Sequence, residues 1–187
     1  MIIAGIDYSL RGPSICVFNG DVFTFDNCTF YYLTDTKKYT IEDLHTYNLI
    51  GENFNEWNSE VERYKSIADW ALEIVLGCQQ IAIEGYSYNS TGKVFHIAEN
   101  TGVLKYKLYE MGIPVTIIEP TVAKKYATGK GNADKEMMYK SFLLETGIDL
   151  RVRMNYEKKE IGSPISDIVD SYFICKKLFD NISYSTI

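Results

Sequence analysis

Two short apolar segments, residues 80–84 and 114–118, lie on either side of a long helical pattern at residues 94–111. The order of strand, helix and strand predicts a βαβ unit, in which the two strands run parallel and the connection is right-handed. Helices must cover a sheet of this kind. The pattern therefore restricts the chain to the α/β class.

The N-terminal segment predicts strands that run antiparallel to one another. Residues 2–6 and 14–18 are apolar, and turn-forming residues at 11–13 separate them. The Asn-Gly pair at 19–20 is typical of a type I′ hairpin, and the apolar residues 22–25 beyond it predict a third strand. The chain therefore opens with a three-stranded antiparallel meander.

Apolar residues at helical spacing predict four further helices, and the first of them opens with a capping box formed by Ser59 and Glu62. The others begin at about residues 122, 135 and 166. Residues 34–58 are polar and aromatic without a clear period, so they predict a surface insertion. A chain of 187 residues can bury roughly 70% of its unfolded surface around one core. We therefore expect a single domain over residues 1–187, with a polar insertion at about 34–58.

The composition excludes several classes of protein. With 46% hydrophobic and 24% charged residues, the chain is typical of folded globular proteins. No apolar run approaches the roughly 20 residues that span a bilayer, and Asp7 interrupts the apolar N-terminus where a secretory signal would continue. The four cysteines are widely spaced, which favours small buried side chains in a reducing compartment. We expect a soluble, cytoplasmic protein.

Four acidic residues stand at positions where charge needs a partner. Asp7 and Glu84 each end an otherwise apolar strand, and open α/β sheets build their sites at strand ends. Asp167 and Asp170 are three residues apart, so they share one face of the last helix beside its buried stripe. Each pair also has an ordinary interpretation, as a strand leaving the core or as acids favoured at a helix N-terminus.

If the sheet brings the four acids together, their mutual repulsion requires cations. All-oxygen ligands favour hard divalent ions such as Mg²⁺ or Mn²⁺. Two such ions about 4 Å apart can activate a water molecule and stabilise the leaving oxygen of a phosphodiester. Neither His45 nor His96 neighbours an obvious serine or cysteine nucleophile in the sequence. The acids therefore favour metal-dependent hydrolysis of a phosphodiester.

Four segments of the chain resemble, in order and spacing, the RuvC-type Holliday junction resolvases of the RNase H-like superfamily, and they look most like its compact viral or phage branch. The matching segments are residues 4–10, 83–84, 122–135 and 167–170. The resemblance covers nearly the whole chain. It implies an RNase H-like mixed five-stranded sheet, in which the antiparallel meander joins two parallel strands and helices flank the sheet.

The resemblance also implies an activity. Members of this family act as homodimers that resolve four-way DNA junctions by paired, metal-dependent nicks. If the protein is viral, the expected cytoplasmic location is the cytoplasm of the host. Asp7, Glu84, Asp167 and Asp170 would be the catalytic acids that bind two Mg²⁺ ions, with Mn²⁺ as a substitute. Flaps and forks are further candidate substrates.

Basic and aromatic residues of the family also have counterparts here. Lys124 and Lys135 match basic residues near the DNA and the scissile phosphate, and Lys135 is also a candidate catalytic residue. Tyr86 and Tyr88 occupy the region after the second acid, where the family places aromatic side chains at the junction core. The apolar helix at residues 94–111 is our candidate for the dimer interface.

The distribution of charge allows DNA binding despite a net charge of −6. Residues 93–159 hold 12 basic and 8 acidic side chains, whereas residues 1–92 hold 5 and 13. Two bound divalent ions would offset the charge of the four acids and move the net charge from −6 to about −2. Glycines in the loop after residue 128 allow close approach to a phosphate. The candidate DNA-binding residues in and beside this loop are Lys125, Gly129, Lys130, Gly131 and Asn132.

Two other functions remain open. The first is a non-catalytic module of RNase H-like fold that binds branched DNA, although the presence of all four acids argues against it. The second is a sugar-kinase or actin-like ATPase, which also opens with an apolar strand, an acid and a phosphate loop. That fold normally needs two such domains, and 187 residues are too few for them.

Overall fold

A computed structural model of the chain describes residues 1–86 and 94–184. The strands are β1 (Ile2–Asp7), β2 (Ser14–Asn19), β3 (Cys28–Leu33), β4 (Leu49–Glu52), β5 (Gln80–Glu84) and β6 (Val115–Ile118). The α-helices are α1 (Glu60–Val75), α2 (Val94–Glu110), α3 (Pro120–Thr128), α4 (Lys135–Thr146), α5 (Leu150–Arg153) and α6 (Ile165–Tyr184). Short 3-10 helices cover Phe25–Asn27, Lys37–Tyr39 and Glu42–Tyr47.

The strands form one mixed six-stranded sheet in the order β4-β3-β2-β1-β5-β6. Strands β1, β2 and β3 pair antiparallel, whereas β5 pairs parallel with both β1 and β6. The predicted meander and the predicted βαβ unit are therefore confirmed as parts of one sheet. The prediction of five strands is wrong by one, because β4 adds to the edge of β3 in parallel.

The predicted position of the third strand is also wrong. Residues 22–25 do not enter the sheet, and the third strand is Cys28–Leu33. The segment is apolar because it packs on the core as a loop: the Phe23 ring stacks on Phe18 with centroids 4.8 Å apart, and Phe25 is buried against Phe30. Asn27 Nδ2 donates to the carbonyl oxygen of Val22 and closes this loop.

The insertion at residues 34–58 contains more structure than its sequence predicts. It holds two of the 3-10 helices and the short strand β4, whose Leu49 is buried. Gly51 lets the chain pass close to the carbonyl oxygen of Tyr39, since a Cβ atom there would lie 2.1 Å from it. The Tyr32 hydroxyl donates to the same carbonyl oxygen at 2.7 Å. The insertion is thus tied to the sheet.

Helices cover both faces of the sheet, and alternate strand residues enter two separate cores. On one face Ile3 and Phe18 pack in a cluster that includes Phe142 of α4 and Phe173 of α6. On the other face, Ala4 and neighbouring strand residues pack against α1 and α2. This arrangement satisfies the period-2 pattern of the strands with apolar helix faces on both sides.

Most of the predicted helices are confirmed, with small changes at their ends. Ser59 Oγ accepts from the backbone N–H of Glu62 at 3.2 Å, as expected for an N-cap. The last helix, α6, begins at Ile165, one residue before its predicted start. The short helix α5 was not predicted. All four cysteines are free and buried, as predicted. No helix in the described ranges has both the length and the hydropathy needed to cross a membrane.

Helix α6 lies directly against the backbone of β1. A Cβ atom added to Gly5 would stand 2.2 Å from the backbone nitrogen of Cys175 and 2.6 Å from the carbonyl oxygen of Ser171. Next to this contact, the hydroxyls of Ser14 and Ser171 form a buried hydrogen bond of 3.1 Å. Glycine at position 5 therefore sets the distance between β1 and α6.

Gly5→Ala is expected to lower the free energy of unfolding by more than about 3 kcal/mol, because the new methyl group overlaps backbone atoms that cannot rotate away. Urea unfolding followed by circular dichroism measures the change. Gly102→Ala is the matched control, since nothing lies within 4 Å of its added Cβ. In an exposed helical position this change should raise stability by roughly 0.5–1 kcal/mol. Equal stability of the two variants would contradict the proposed tight contact.

Candidate metal centre

The four predicted acids come together at one end of the sheet. Asp7 ends β1 and Glu84 ends β5, and these strands are parallel neighbours in which Ile6 and Ile83 are register partners. Asp167 and Asp170 lie in the first turns of α6, which crosses β1 one residue further on, at Ser171. We call these four side chains the acid cluster.

The pKa values show that the carboxylates of the acid cluster act on one another. Burial raises the pKa of Asp7 well above its usual range, and the charges of Glu84, Asp167 and Asp170 raise it further. Burial likewise raises the pKa of Asp170 to about 7, with additional effects of Glu84 and Asp167. The side chains keep some contact with solvent, but protein atoms surround them densely enough to disfavour their charged forms.

Two of the predicted lysines lie beside the acid cluster. The positive charge of Lys124 opposes the rise in the pKa of Glu84, which burial brings to about 7. The charges of Lys124 and Lys135 both oppose the rise in the pKa of Asp170. The two lysines offset only part of the negative charge, so the cluster still favours further cations.

Asp167 accepts hydrogen bonds from two serines that were not predicted from the sequence. The hydroxyls of Ser163 and Ser166 donate to its two carboxylate oxygens, the latter at 2.9 Å. Lys135 Nζ in turn donates to Ser166 Oγ at 3.2 Å. These bonds lower the pKa of Asp167, but burial outweighs them and leaves it raised. The serines therefore join Lys135 to the acid cluster.

A fifth acid, Glu119, was also missed. A Cβ atom on Gly85 would lie 2.8 Å from Glu119 Oε1, which places this carboxylate next to the end of β5. Its charge contributes to the raised pKa of Glu84. Glu119 follows the apolar strand β6, the same pattern that identified Asp7 and Glu84, so the sequence did contain the signal.

The chemistry of the acid cluster fits divalent metal ions. Its donors are carboxylate oxygens, which hard cations prefer, and bound cations would relieve the repulsion that raises these pKa values. Within residues 1–86 and 94–184, no three His, Cys, Asp or Glu side chains are arranged as a ready-formed metal cage. The acid cluster therefore has the oxygen donors and the negative charge that divalent ions favour, without the geometry of a preformed cage.

The other predicted DNA-binding residues lie outside the acid cluster. Lys125, Lys130 and Asn132 are exposed. Gly129 ends α3 with a left-handed φ of 78°, and a Cβ atom on Gly131 would lie 3.2 Å from the Thr121 carbonyl oxygen. Both glycines thus have local structural reasons to be present.

Of the two predicted tyrosines, Tyr86 lies in the described part of the chain, two residues after the end of β5. It is exposed, and Lys105 Nζ lies over its ring, 4.9 Å from the centroid. Tyr88 lies outside the described residues.

Comparison with known proteins gives structural matches only. No family model matches the sequence, and no curated protein matches it. The structure of Thermus thermophilus RuvC in complex with Holliday junction substrate is 17% identical to this chain in sequence. The match covers 98% of this chain and 96% of the RuvC chain, with a TM-score of 0.62.

One viral and one yeast structure also match this chain over most of its length. The fowlpox virus resolvase, in complex with substrate Holliday junction DNA, is 14% identical over 97% of this chain and 99% of its own, with a TM-score of 0.51. The yeast mitochondrial Holliday junction resolvase Ydc2 is 16% identical to this chain. The match covers 99% of this chain and 86% of Ydc2, with a TM-score of 0.50. The six-stranded mixed sheet with its flanking helices therefore has the fold of the RuvC-like Holliday junction resolvases.

Proposed function

We propose that this protein is a divalent-metal-dependent endonuclease that resolves four-way (Holliday) junctions, and other branched DNA, by paired phosphodiester nicks. In this proposal residues 1–187 act as one RNase H-like nuclease domain. The observation that carries it is the acid cluster, in which carboxylates from two strand ends and one helix raise one another's pKa. The similarity to solved Holliday junction resolvases supports the choice of substrate.

Asp7, Glu84, Asp167 and Asp170 would hold two Mg²⁺ ions, or Mn²⁺ in their place. Such ions, when bound, supply a nucleophilic water and neutralise the charge that develops on the leaving oxygen. The protein contributes the positions of the carboxylates. In particular, the hydroxyls of Ser163 and Ser166 donate to both oxygens of Asp167, which restricts the orientation of that side chain.

Positive groups are needed to hold DNA against so many acids. Lys135 and Lys124 lie at the acid cluster and would bind the scissile phosphate or the phosphates next to it. Lys125 and Lys130 are exposed, and together with Gly129, Gly131 and Asn132 they would contact the backbone further along the arm. Tyr86 and Tyr88 would stack on bases near the junction core.

Paired nicks in opposite strands require two active sites, and we propose a homodimer formed through α2. The exposed part of this helix carries several apolar side chains, which is unusual for a surface that contacts only water. They are Val94, Phe95, Tyr106 and Tyr109.

The two alternative functions predict different results. A binding module without catalytic activity would hold junction DNA tightly and leave it intact in Mg²⁺ or Mn²⁺. An actin-like or sugar-kinase ATPase would be stabilised by ATP in a thermal-shift assay, and branched DNA would have no effect on it.

Asp7→Asn tests the mechanism. The substitution keeps the size of the side chain but removes a charge that faces the other three acids, so cleavage of a four-way junction should fall at least about 100-fold. Binding of the junction should persist or strengthen, because the amide no longer repels phosphate. Gel assays of cleavage and binding measure both, and an Asp7→Asn protein that cuts normally would refute the mechanism.

Lys135→Ala tests the role of the lysines. Loss of its charge at the acid cluster should weaken both junction binding and cleavage, whereas Lys38→Ala should have little effect. Lys38 is a suitable control because it is exposed and its charge already pairs with Glu157. Equal effects of the two variants on cleavage would contradict a specific role of Lys135.

The raised pKa values predict how the stability of the metal-free protein depends on pH. Between about pH 4 and pH 7 the folded state keeps protons on Glu84 and Asp170 that the unfolded state has already released. In EDTA, the free energy of unfolding should therefore fall as the pH rises through this range. Asp170→Asn should weaken this dependence and raise stability at pH 8 by at least about 1 kcal/mol.

Asp149→Asn is the control of opposite sign. The hydrogen bond from the Tyr139 hydroxyl lowers the pKa of Asp149. The ionised Asp149 carboxylate therefore stabilises the folded state at neutral pH, and this contribution is lost in acid. This variant should gain nothing at pH 8. An Asp170→Asn protein less stable than wild type at pH 8 in EDTA would contradict the raised pKa.

Mg²⁺ should raise the melting temperature of the wild type more at pH 8 than at pH 5, since protons compete for the same carboxylates.

A further inference from the structure

Lys135 lies among carboxylates and yet pairs with none of them. Its positive charge opposes the rise in pKa that burial causes in three members of the acid cluster. Within residues 1–86 and 94–184, however, its Nζ forms no ion pair, and it donates to the neutral hydroxyl of Ser166 at 3.2 Å. A hydrogen bond between two charged groups is stronger than one to a neutral oxygen. The position of this ammonium group therefore needs a cause.

The Ser166 hydroxyl supplies that cause, because it bridges the cation and an acid. Its oxygen accepts from Lys135 Nζ, and it donates its own hydrogen to Asp167 Oδ1 at 2.9 Å. Each of these bonds polarises the hydroxyl and strengthens the other. Ser166 is buried in the first turn of α6, so its side chain has little freedom to turn away. The serine thus joins the ammonium to the carboxylate and keeps the two charges apart.

The second oxygen of Asp167 is also occupied. The Ser163 hydroxyl donates to Oδ2, and a Cβ atom on Gly12 would lie 2.5 Å from the same oxygen. The two serines therefore make equivalent contacts with Asp167, but they differ at Lys135. Ser166 bonds to the ammonium, whereas in the described part of the chain the Ser163 hydroxyl bonds to Asp167 alone.

The bond to Ser166 leaves most of the Lys135 ammonium available. An ammonium group has three N–H donors, and Ser166 takes one of them. Lys135 is exposed, so the other two can meet an anion from outside the protein. In the proposed function, the anion that reaches the acid cluster is a phosphate of the DNA backbone.

We infer that Ser166 is a positioning residue, which holds the Lys135 ammonium off the carboxylates so that its remaining N–H groups bind the scissile phosphate. The inference rests on the proposed nuclease function. Without the Ser166 hydroxyl, no group separates the ammonium from Asp167 Oδ1. The two charges would then contact each other directly and withdraw Lys135 from the DNA.

A double-mutant cycle tests this role, with single-turnover cleavage of a four-way junction as the measurement. Ser166→Ala should cut about tenfold more slowly than the wild type. In the Lys135→Ala protein the same substitution should slow cleavage by less than about threefold, because the ammonium that it releases is already gone. Alanine is favourable in a helix, so Ser166→Ala should fold. Ser166→Cys fills the same space with a weak donor and should show the same loss of additivity.

Ser163→Ala is the matched control, since it removes a hydroxyl from Asp167 and leaves the bond between Ser166 and Lys135 in place. It should slow cleavage by the same factor with Lys135 present or absent. Junction binding in EDTA is a second measurement, because without metal ions no attraction links Asp167 to DNA. There Ser166→Ala should weaken binding by about threefold, as Lys135→Ala does, and Ser163→Ala should weaken it less.

The outcomes separate this inference from the proposed function. The positioning role is refuted, and the nuclease function stands, if the wild type cuts the junction but Ser166→Ala cuts as fast. The same holds if Ser166→Ala slows cleavage equally with and without Lys135, or if the two serine variants bind the junction equally in EDTA. If the wild type does not cut the junction at all, both are refuted.

Discussion

At Gly5 the backbone of helix α6 lies so close to strand β1 that one added methyl group would overlap it. This contact sets the position of the whole helix. Asp170 directly precedes Ser171, whose carbonyl oxygen touches Gly5, and Asp167 lies about one turn earlier. Two residues beyond Gly5, β1 ends at Asp7, and its parallel neighbour β5 ends at Glu84. A larger residue at position 5 would move α6 outward and take two of the four acids away from the other two.

The acid cluster that results is costly for the metal-free protein. Burial and mutual repulsion raise the pKa values of Asp7, Glu84 and Asp170, and Lys124 and Lys135 offset only part of that effect. A fold that accepts such a cost at one place is typical of a functional site.

The elements that position the site could be predicted from the sequence, because their signals are local. The apolar runs of β1, β2, β5 and β6, and the start of α1 at its cap, follow from residues next to one another. The third strand was misplaced because residues 22–25 are apolar for a different reason, namely that a loop packs Phe23 and Phe25 onto the core. Strand β4 is short and lies at the edge, so its sequence has no clear period.

The proximity of the four acids could be expected from their positions at strand ends and on one helix face. Their supporting partners could not. Which hydroxyls reach Asp167 depends on how the chain before α6 approaches the helix, and no spacing in the sequence predicts that Ser163 and Ser166 both do so. Glu119 ends its strand as Asp7 and Glu84 do, but only the packing of Gly85 shows that its side chain turns toward them.

The most direct measurement of the central claim is the incubation of the wild-type protein with labelled four-way, Y-shaped and linear DNA in Mg²⁺, in Mn²⁺ and in EDTA. We expect both metals to support symmetric nicks in the four-way junction, the linear duplex to stay intact, and EDTA to abolish the reaction. A junction that is bound but uncut in both metals, or cut equally well in EDTA, would contradict it.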